Sequence, residues 1–307
     1  MFLVAGLLNS FTLLVWIRLR FRLSWSFCWI YRSHKEGGRT NGRYLSGVWG
    51  TFEERYEPDL VGLEEPAVCG VVEFARRQLG FDADERQAGV LASEAKRGIL
   101  NCTRQWGKST VAAVKAVHRA MMRAGSLVVV ASPTERQSGE FLRKAGELTA
   151  RLGIRPRGDG KNALSLLLPN GSRIVGLPGT ERTIRGFSAV SLLIVDEAAR
   201  VPDEVYRALR PMLAVANGDL WLLSTPNGKD GFFYENWAHG GDEWERVAVP
   251  ATECPRIGRE FLEEERRQLG EAWFRQEYLC EFVDNGRRMF DREMVDGALR
   301  DGEPLRI

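Results

Sequence analysis

Across the middle of the chain, short unbroken apolar runs alternate with longer segments whose apolar residues recur every three or four positions. The runs are RGILN (Arg97–Asn101), SLVVVAS (Ser126–Ser132), SLLIVDEA (Ser191–Ala198), DLWLLST (Asp219–Thr225) and ERVAV (Glu245–Val249). Each is short enough for a strand, and the β-branched run SLVVVAS is typical of a strand covered on both faces. The intervening segments predict helices. Val71–Gly80 and Asp84–Ser93 are two short ones, the second capped by Asp84. Ser109–Arg123 is a third. Within it Val111, Val114, Val117 and Met121 share one side and Lys115, His118 and Arg119 the other, the pattern of a helix packed on a sheet. Thr134–Leu152, after Pro133, is a long amphipathic fourth. Leu164–Asn170 and Ser172–Pro178 flank Asn170-Gly171, a strong hairpin signal. Arg259–Gln268 and Glu271–Glu281 read as charged amphipathic helices suited to a lid or docking surface rather than to catalysis. The predicted fold is α/β: a mostly parallel central sheet flanked by helices, with an inserted β-hairpin.

The ends of the chain differ from this middle. Met1–Ile17 is almost wholly apolar, and Arg18–Trp29 alternates arginine with large hydrophobes before a Gly-rich polar connector at Gly37–Gly50. Residues 1–50 are therefore read as an extension outside the core, with a membrane anchor as the alternative; no basic residues precede the apolar run, which argues against a signal peptide. Residues 51–283 form the predicted working domain and 284–307 a C-terminal remnant. The formal net charge is +2, but residues 1–50 hold seven basic residues against Glu36 alone, so the rest is net acidic and overall charge gives no argument for nucleic acid. The five cysteines show no CxxC pair, which suggests a reduced, intracellular protein without structural zinc. His34, His118 and His239 are too scattered for a metal cluster and are expected to be solvated.

Two stretches carry chemistry. In NCTRQWGKST (Asn101–Thr110), Gly107-Lys108-Ser109 stands where a strand passes to a helix, a geometry that gathers backbone N–H groups and the helix dipole on an anion. Lys108 would reach phosphates and the Ser109 hydroxyl a Mg²⁺ ion. The usual first glycine is replaced by Cys102, and an ordinary turn with an exposed lysine is the alternative. In SLLIVDEA, Asp196 and Glu197 end a core strand, where an Asp holds Mg²⁺ and a following Glu deprotonates the attacking water in P-loop enzymes; a helix-capping pair is the alternative. Ser224-Thr225-Pro226-Asn227-Gly228, at the tip of another core strand, is either a γ-phosphate sensor or a plain turn. Gln87, ahead of the loop, is either an adenine contact or a surface residue.

The ordered series TRQWGKST, ASPTERQS, NGSRIVGLPGTERTIRGFS, LLIVDEAARVPDE, LLSTPNGK and WFRQEYLCEFVD resembles the ATPase part of the large terminase subunit, the DNA-packaging motor of tailed double-stranded DNA bacteriophages. The resemblance covers about Val71 to Phe290, and Cys102 and Arg104 fit that family's loop. It implies an ASCE-type P-loop fold and Mg-ATP hydrolysis within a homo-oligomeric ring, coupled to double-stranded DNA translocation in the host cytoplasm with portal protein and small terminase subunit as partners. ATP would lie against Cys102, Thr103, Arg104, Gln105, Trp106, Gly107, Lys108, Ser109, Thr110 and Gln87. Ser109 and Asp196 would hold Mg²⁺, with Glu197 as base and Lys108 and Arg104 at the reacting phosphates. Ser224, Thr225 and Pro226 would form the coupling motif. Arg185 is the first candidate for an arginine finger, with Arg182 and Arg200 as rivals. Family members continue into a nuclease domain; Asp284, Asp291, Asp296 and Asp301 do not suggest one, so no DNA cleavage is expected from this chain, and a separate nuclease chain is a possible companion. A nucleotide-binding remnant or a helicase-like ATPase are the alternatives.

Overall fold

The computed structural model describes residues 70–158, 160, 164–179 and 186–284, all within the compact unit Leu63–Ile307. The apolar amino-terminal segment, Arg182, Arg185, Asp291, Asp296 and Asp301 lie outside the described residues.

In chain order the strands are β1 (Arg97–Cys102), β2 (Leu127–Ser132), β3 (Ser165–Leu167), β4 (Arg173–Pro178), β5 (Val190–Asp196), β6 (Asp219–Ser224) and β7 (Trp244–Val249). The helices are α1 (Val71–Leu79), α2 (Glu85–Ala92), α3 (Lys108–Met122), α4 (Glu135–Arg151), α5 (Asp203–Leu209), α6 (Gly231–His239), α7 (Arg259–Leu269) and α8 (Glu271–Glu277). All seven strands join one sheet in the order β3-β4-β2-β5-β6-β1-β7, parallel except for β3 against β4. The hairpin forms around Asn170-Gly171 as predicted, and its second strand pairs with β2 as a full member of the sheet.

The unbroken apolar runs are explained by what covers them. Alternate side chains of the central strands enter two separate cores. Val128, Val130, Leu192, Ile194, Trp221 and Leu223 point into the core under α1 to α4. Val129, Ala131, Leu193, Val195, Leu220 and Leu222 point into the core under α5 and α6. These last two helices had no sequence expectation. Asp203 Oδ1 accepts from the Phe232 N–H at 2.9 Å, and the Tyr206 and Phe232 rings stack with centroids 3.9 Å apart, which ties α5 to α6. Gly98 lies beside Trp221 in the β1–β6 register, and a Cβ there would meet the indole at 2.4 Å, so only glycine lets the large ring lie across the strand.

The polar side of α3 is not a solvated face. The Lys115 ammonium donates to the carbonyls of Val90 (3.1 Å), Leu91 (3.3 Å) and Ser93 (2.9 Å), closing the end of α2, and stands 4.4 Å from the Trp221 ring centroid. Arg119 donates to the Ser191 carbonyl (2.7 Å) and pairs with Asp219 at the start of β6. His118, expected to be solvated, packs edge-on against Phe74 of α1 at 5.1 Å. It does so because α1 and α2 cover this side of α3. The last predicted helix is also shorter: α8 ends at Glu277, because Cys280 turns left-handed (φ 59°) and the Glu281 N–H returns to the Arg275 carbonyl at 3.0 Å. Among the described residues no helix is long and apolar enough to cross a membrane.

Burial, with Lys115 and Arg119 nearby, lowers the His118 pKa from 6.5 to about 4. Between these values the unfolded chain binds a proton that the folded chain refuses. This contribution to stability is therefore complete above pH 6.5 and is lost as pH falls towards 4. Replacing His118→Gln should flatten the fall of melting temperature across that window; identical slopes for the two proteins would contradict the assignment.

Candidate functional site

Parallel pairing sets three strand ends side by side. Asn101 of β1 is in register with Ser224 of β6, and Leu223 of β6 with Asp196 of β5. The loop after β1, the acidic pair after β5 and the Ser-Thr-Pro segment after β6 therefore open on one edge of the sheet.

The loop departs from β1 at Cys102, which is buried in the first core with its thiol 3.8 Å from the Val247 carbonyl. Cys102 is thus strand rather than turn. The left-handed positions lie further on, at Gln105 (φ 65°) and Gly107 (φ 97°), so the glycine missing at 102 is not required by the backbone here. Burial pushes the Cys102 thiol well above its usual pKa, although Lys108 opposes this. Thr103 N–H bonds to the Val249 carbonyl (2.9 Å), and Trp106 is buried within the loop. The Trp106 carbonyl accepts from Gln87 Nε2 (2.8 Å) and from Arg256 (2.7 Å). Gln87 is not a surface residue: it is 3 % exposed and its other amide end accepts from Asp84 N–H, completing the cap of α2. Lys108 is buried and curls back, its ammonium donating to the carbonyls of Cys102 (2.8 Å) and Thr103 (3.1 Å). Arg104, Gln105, Ser109 and Thr110 are at least partly open to solvent around it.

Asp196 is buried at the tip of β5, and burial raises its pKa although the nearby Ser109 hydroxyl, at the start of α3, opposes the rise. Glu197 follows with φ 53°, a strained conformation for a residue with a side chain, and its N–H bonds to Asp196 Oδ1 at 3.1 Å. The Glu197 side chain is 30 % exposed and pairs with Arg200. Ser224 Oγ accepts from Ala199 N–H at 3.2 Å, and Thr225 Oγ1 accepts from Arg200 at 3.1 Å. Pro226 is buried, and Asn227 donates to the Ala199 carbonyl at 3.2 Å. The end of β6 is therefore wired to the turn that carries Glu197. Ser132 Oγ, at the end of β2, is buried with no hydrogen-bond partner.

Sequence reasoning predicted the helix α8 but not its place in the site. The Glu277 carboxylate accepts from Arg104 Nε (2.8 Å) and from Arg200 (2.8 Å), and Arg200 also donates to Glu197 Oε2 (3.2 Å). The Glu277 carbonyl accepts from Thr103 Oγ1 (3.2 Å), the Gln276 side chain from Gly228 N–H (3.0 Å), and the Cys280 carbonyl from Asn101 Nδ2 (2.8 Å). The second charged helix is consequently part of the site. The one available signal was its place in the WFRQEYLCEFVD string, which says nothing of what Glu277 touches. Of the three finger candidates, Arg200 is engaged on its own chain.

Comparison with known proteins agrees with this geometry. Residues 99–296 match the family model described as terminase large subunit, T4likevirus-type, N-terminal. The terminase large subunit of Thermus phage G20c is 30% identical over 247 residues, covering 69% of this chain and 51% of that protein, and that of Thermus virus P23-45 matches equally. The chain spans about half the length of these curated relatives. The solved ATPase domain of the large terminase of Thermus phage P74-26 is similar with a TM-score of 0.61 and 27% identity, covering 68% of this chain and 97% of that one. A large terminase from a thermophilic bacteriophage, solved in complex with ADP, shares the fold at 17% identity and a TM-score of 0.54, over 69% of this chain and 52% of that one. The sheet, with β6 between the loop strand β1 and the acidic strand β5, is a P-loop fold of the ASCE type. On the matched span, the fold and the loop together, the chain belongs to the terminase large subunit family, T4likevirus-type, N-terminal.

Proposed function

We propose that this chain is a motor subunit that hydrolyses Mg-ATP and couples the reaction to movement of double-stranded DNA into a capsid. The observation that carries the reading is the convergence of Lys108, the Ser109–Asp196 pair and Glu197 at one edge of the sheet in a member of the terminase family. The backbone N–H groups of Gly107 to Thr110, at the start of α3, would bind the phosphates. Lys108, whose ammonium is held by two loop carbonyls, would exchange them for β- and γ-phosphate oxygens.

Mg²⁺ prefers oxygen ligands and fits the Ser109 hydroxyl and the Asp196 carboxylate, which are close enough for the hydroxyl to oppose the rise in the Asp196 pKa. The orphaned Ser132 hydroxyl, buried at the end of the adjacent strand, adds to the unsatisfied oxygen character of that edge. When bound, the ion would neutralise charge on the triphosphate. Glu197 would accept a proton from water as the water oxygen bonds to the γ-phosphorus and the bond to the β–γ bridging oxygen breaks, releasing ADP and phosphate. Arg104 stands at the loop mouth and would meet the phosphates' negative charge. Ser224, Thr225 and Pro226 would sense the outcome, since the hydroxyls of the first two are hydrogen-bonded to the turn carrying Glu197. A guanidinium from a neighbouring subunit in a ring, Arg185 by preference over Arg182, would complete the charge balance. Double-stranded DNA, a portal protein and a small terminase subunit are the proposed partners.

Lys108→Ala should cut ATP-dependent phosphate release by roughly 10²-fold or more through lost charge stabilisation, and Glu197→Gln should do so with nucleotide binding retained. Phosphate release that persists unchanged in both variants would refute the reading. Cys102→Gly, which removes a fully buried side chain from a strand, should lower stability by about 1–2 kcal/mol without tightening ATP binding. A variant that binds ATP more tightly would instead mean that Cys102 obstructs the loop.

A further inference from the structure

Glu277 is 2 % exposed, and its carboxylate is shared by two arginines that arrive from different parts of the site. Arg104, from the loop, takes Oε2, and Arg200, from the turn after Glu197, takes Oε1, each at 2.8 Å. The Arg104 side chain is 60 % exposed, so Glu277 is its buried anchor in an otherwise open position. Arg200 is divided: one amino group is on Glu277, and the other is on Glu197 Oε2 (3.2 Å) and Thr225 Oγ1 (3.1 Å). An unbroken line of charge-assisted hydrogen bonds thus runs from the phosphate loop through α8 to Glu197. A buried carboxylate is costly unless paired, and here the pairing makes its two arginines interdependent. Whatever draws one of them away changes the share of charge left for the other.

We infer that Glu277 is a positioning residue for hydrolysis, holding Arg200 so that Glu197 is released from it only when the loop is loaded. The inference rests on the proposed role of Glu197 as base and of the loop as a triphosphate site. Phosphate oxygens entering beside Lys108 compete with Glu277 for Arg104. Once Arg104 turns to them, Glu277 keeps a single cation and draws Arg200 towards itself. Glu197 then loses its guanidinium partner and is free to take the proton of the attacking water. Without a triphosphate, Arg200 stays shared and the base stays occupied. The long separation of Glu197 and Glu277 along the chain hides this link, and only the return of the chain across the base of the loop creates it: the Asn101–Cys280 and Thr103–Glu277 hydrogen bonds hold α8 in place.

The test is steady-state ATP hydrolysis with Mg²⁺ by the whole chain and its Glu277→Gln variant, with melting temperatures recorded for each. Glu277→Gln keeps the shape but not the charge, leaving Arg200 to Glu197 and Arg104 to the phosphates. The expected result is a fall in kcat of about tenfold or more, as for a misplaced catalytic group, while KM for ATP does not rise. Adding Arg200→Gln to that variant should raise kcat above the single variant, because the clamp on Glu197 is gone and the local charge is rebalanced. A kcat within the wild-type range for Glu277→Gln, a rise in KM that accounts for the loss, or a double variant slower than the single one would each overturn the inference. If Lys108→Ala and Glu197→Gln abolish turnover while Glu277→Gln does not, the proposed function stands and Glu277 alone loses its role. A wild-type chain without turnover refutes both.

Discussion

The parallel register of β1, β6 and β5 is the constraint on which the rest of the site depends. Hydrogen bonding pairs Asn101 with Ser224 and Asp196 with Leu223, so three segments far apart in sequence end at one level. A slip of one residue on β5 would exchange its two faces and move Asp196 from the side of α3 to the side of α5. The double-sided burial of the strands prevents such a slip, because each face is filled by its own core. The packing of the strand faces is therefore not separate from the chemistry: Leu192 and Ile194 hold Asp196 on the side where Ser109 meets it.

Upon that frame the site stores local strain and charge. Gln105 and Glu197 both take left-handed backbone conformations without being glycine, one in the loop and one directly after Asp196. Lys108 and Glu277 bury opposite charges on the two sides of the loop, each satisfied by its own set of partners: carbonyls for the lysine, arginines for the glutamate.

Much of this was legible in the chain. The apolar runs of β1, β2, β5 and β6 announced core strands, and Gly107-Lys108-Ser109 and Asp196-Glu197 announced the residues on which the proposed chemistry rests, since local pattern determines both. Position relative to other elements was not legible. Gln87 could be read only as an adenine contact or a surface residue, because its partner, the Trp106 carbonyl, belongs to another segment. His118 looked solvated because the periodicity of α3 does not reveal that α1 covers its polar side. The Cys102 anomaly disappears once the strand is seen to continue through it, with the left-handed positions falling later. Glu277 was invisible because a charged residue at the end of a charged helix is usually on the surface; its burial comes from the chain beyond α8 crossing beneath the loop.

The most direct measurement of the central claim is a structure of this chain with Mg²⁺ and a non-hydrolysable ATP analogue. The account predicts the γ-phosphate between Lys108 and Glu197, with the Lys108 ammonium moved from the Cys102 and Thr103 carbonyls to phosphate oxygens. An analogue bound elsewhere, or a Lys108 still bonded to both carbonyls with the nucleotide in place, would contradict it.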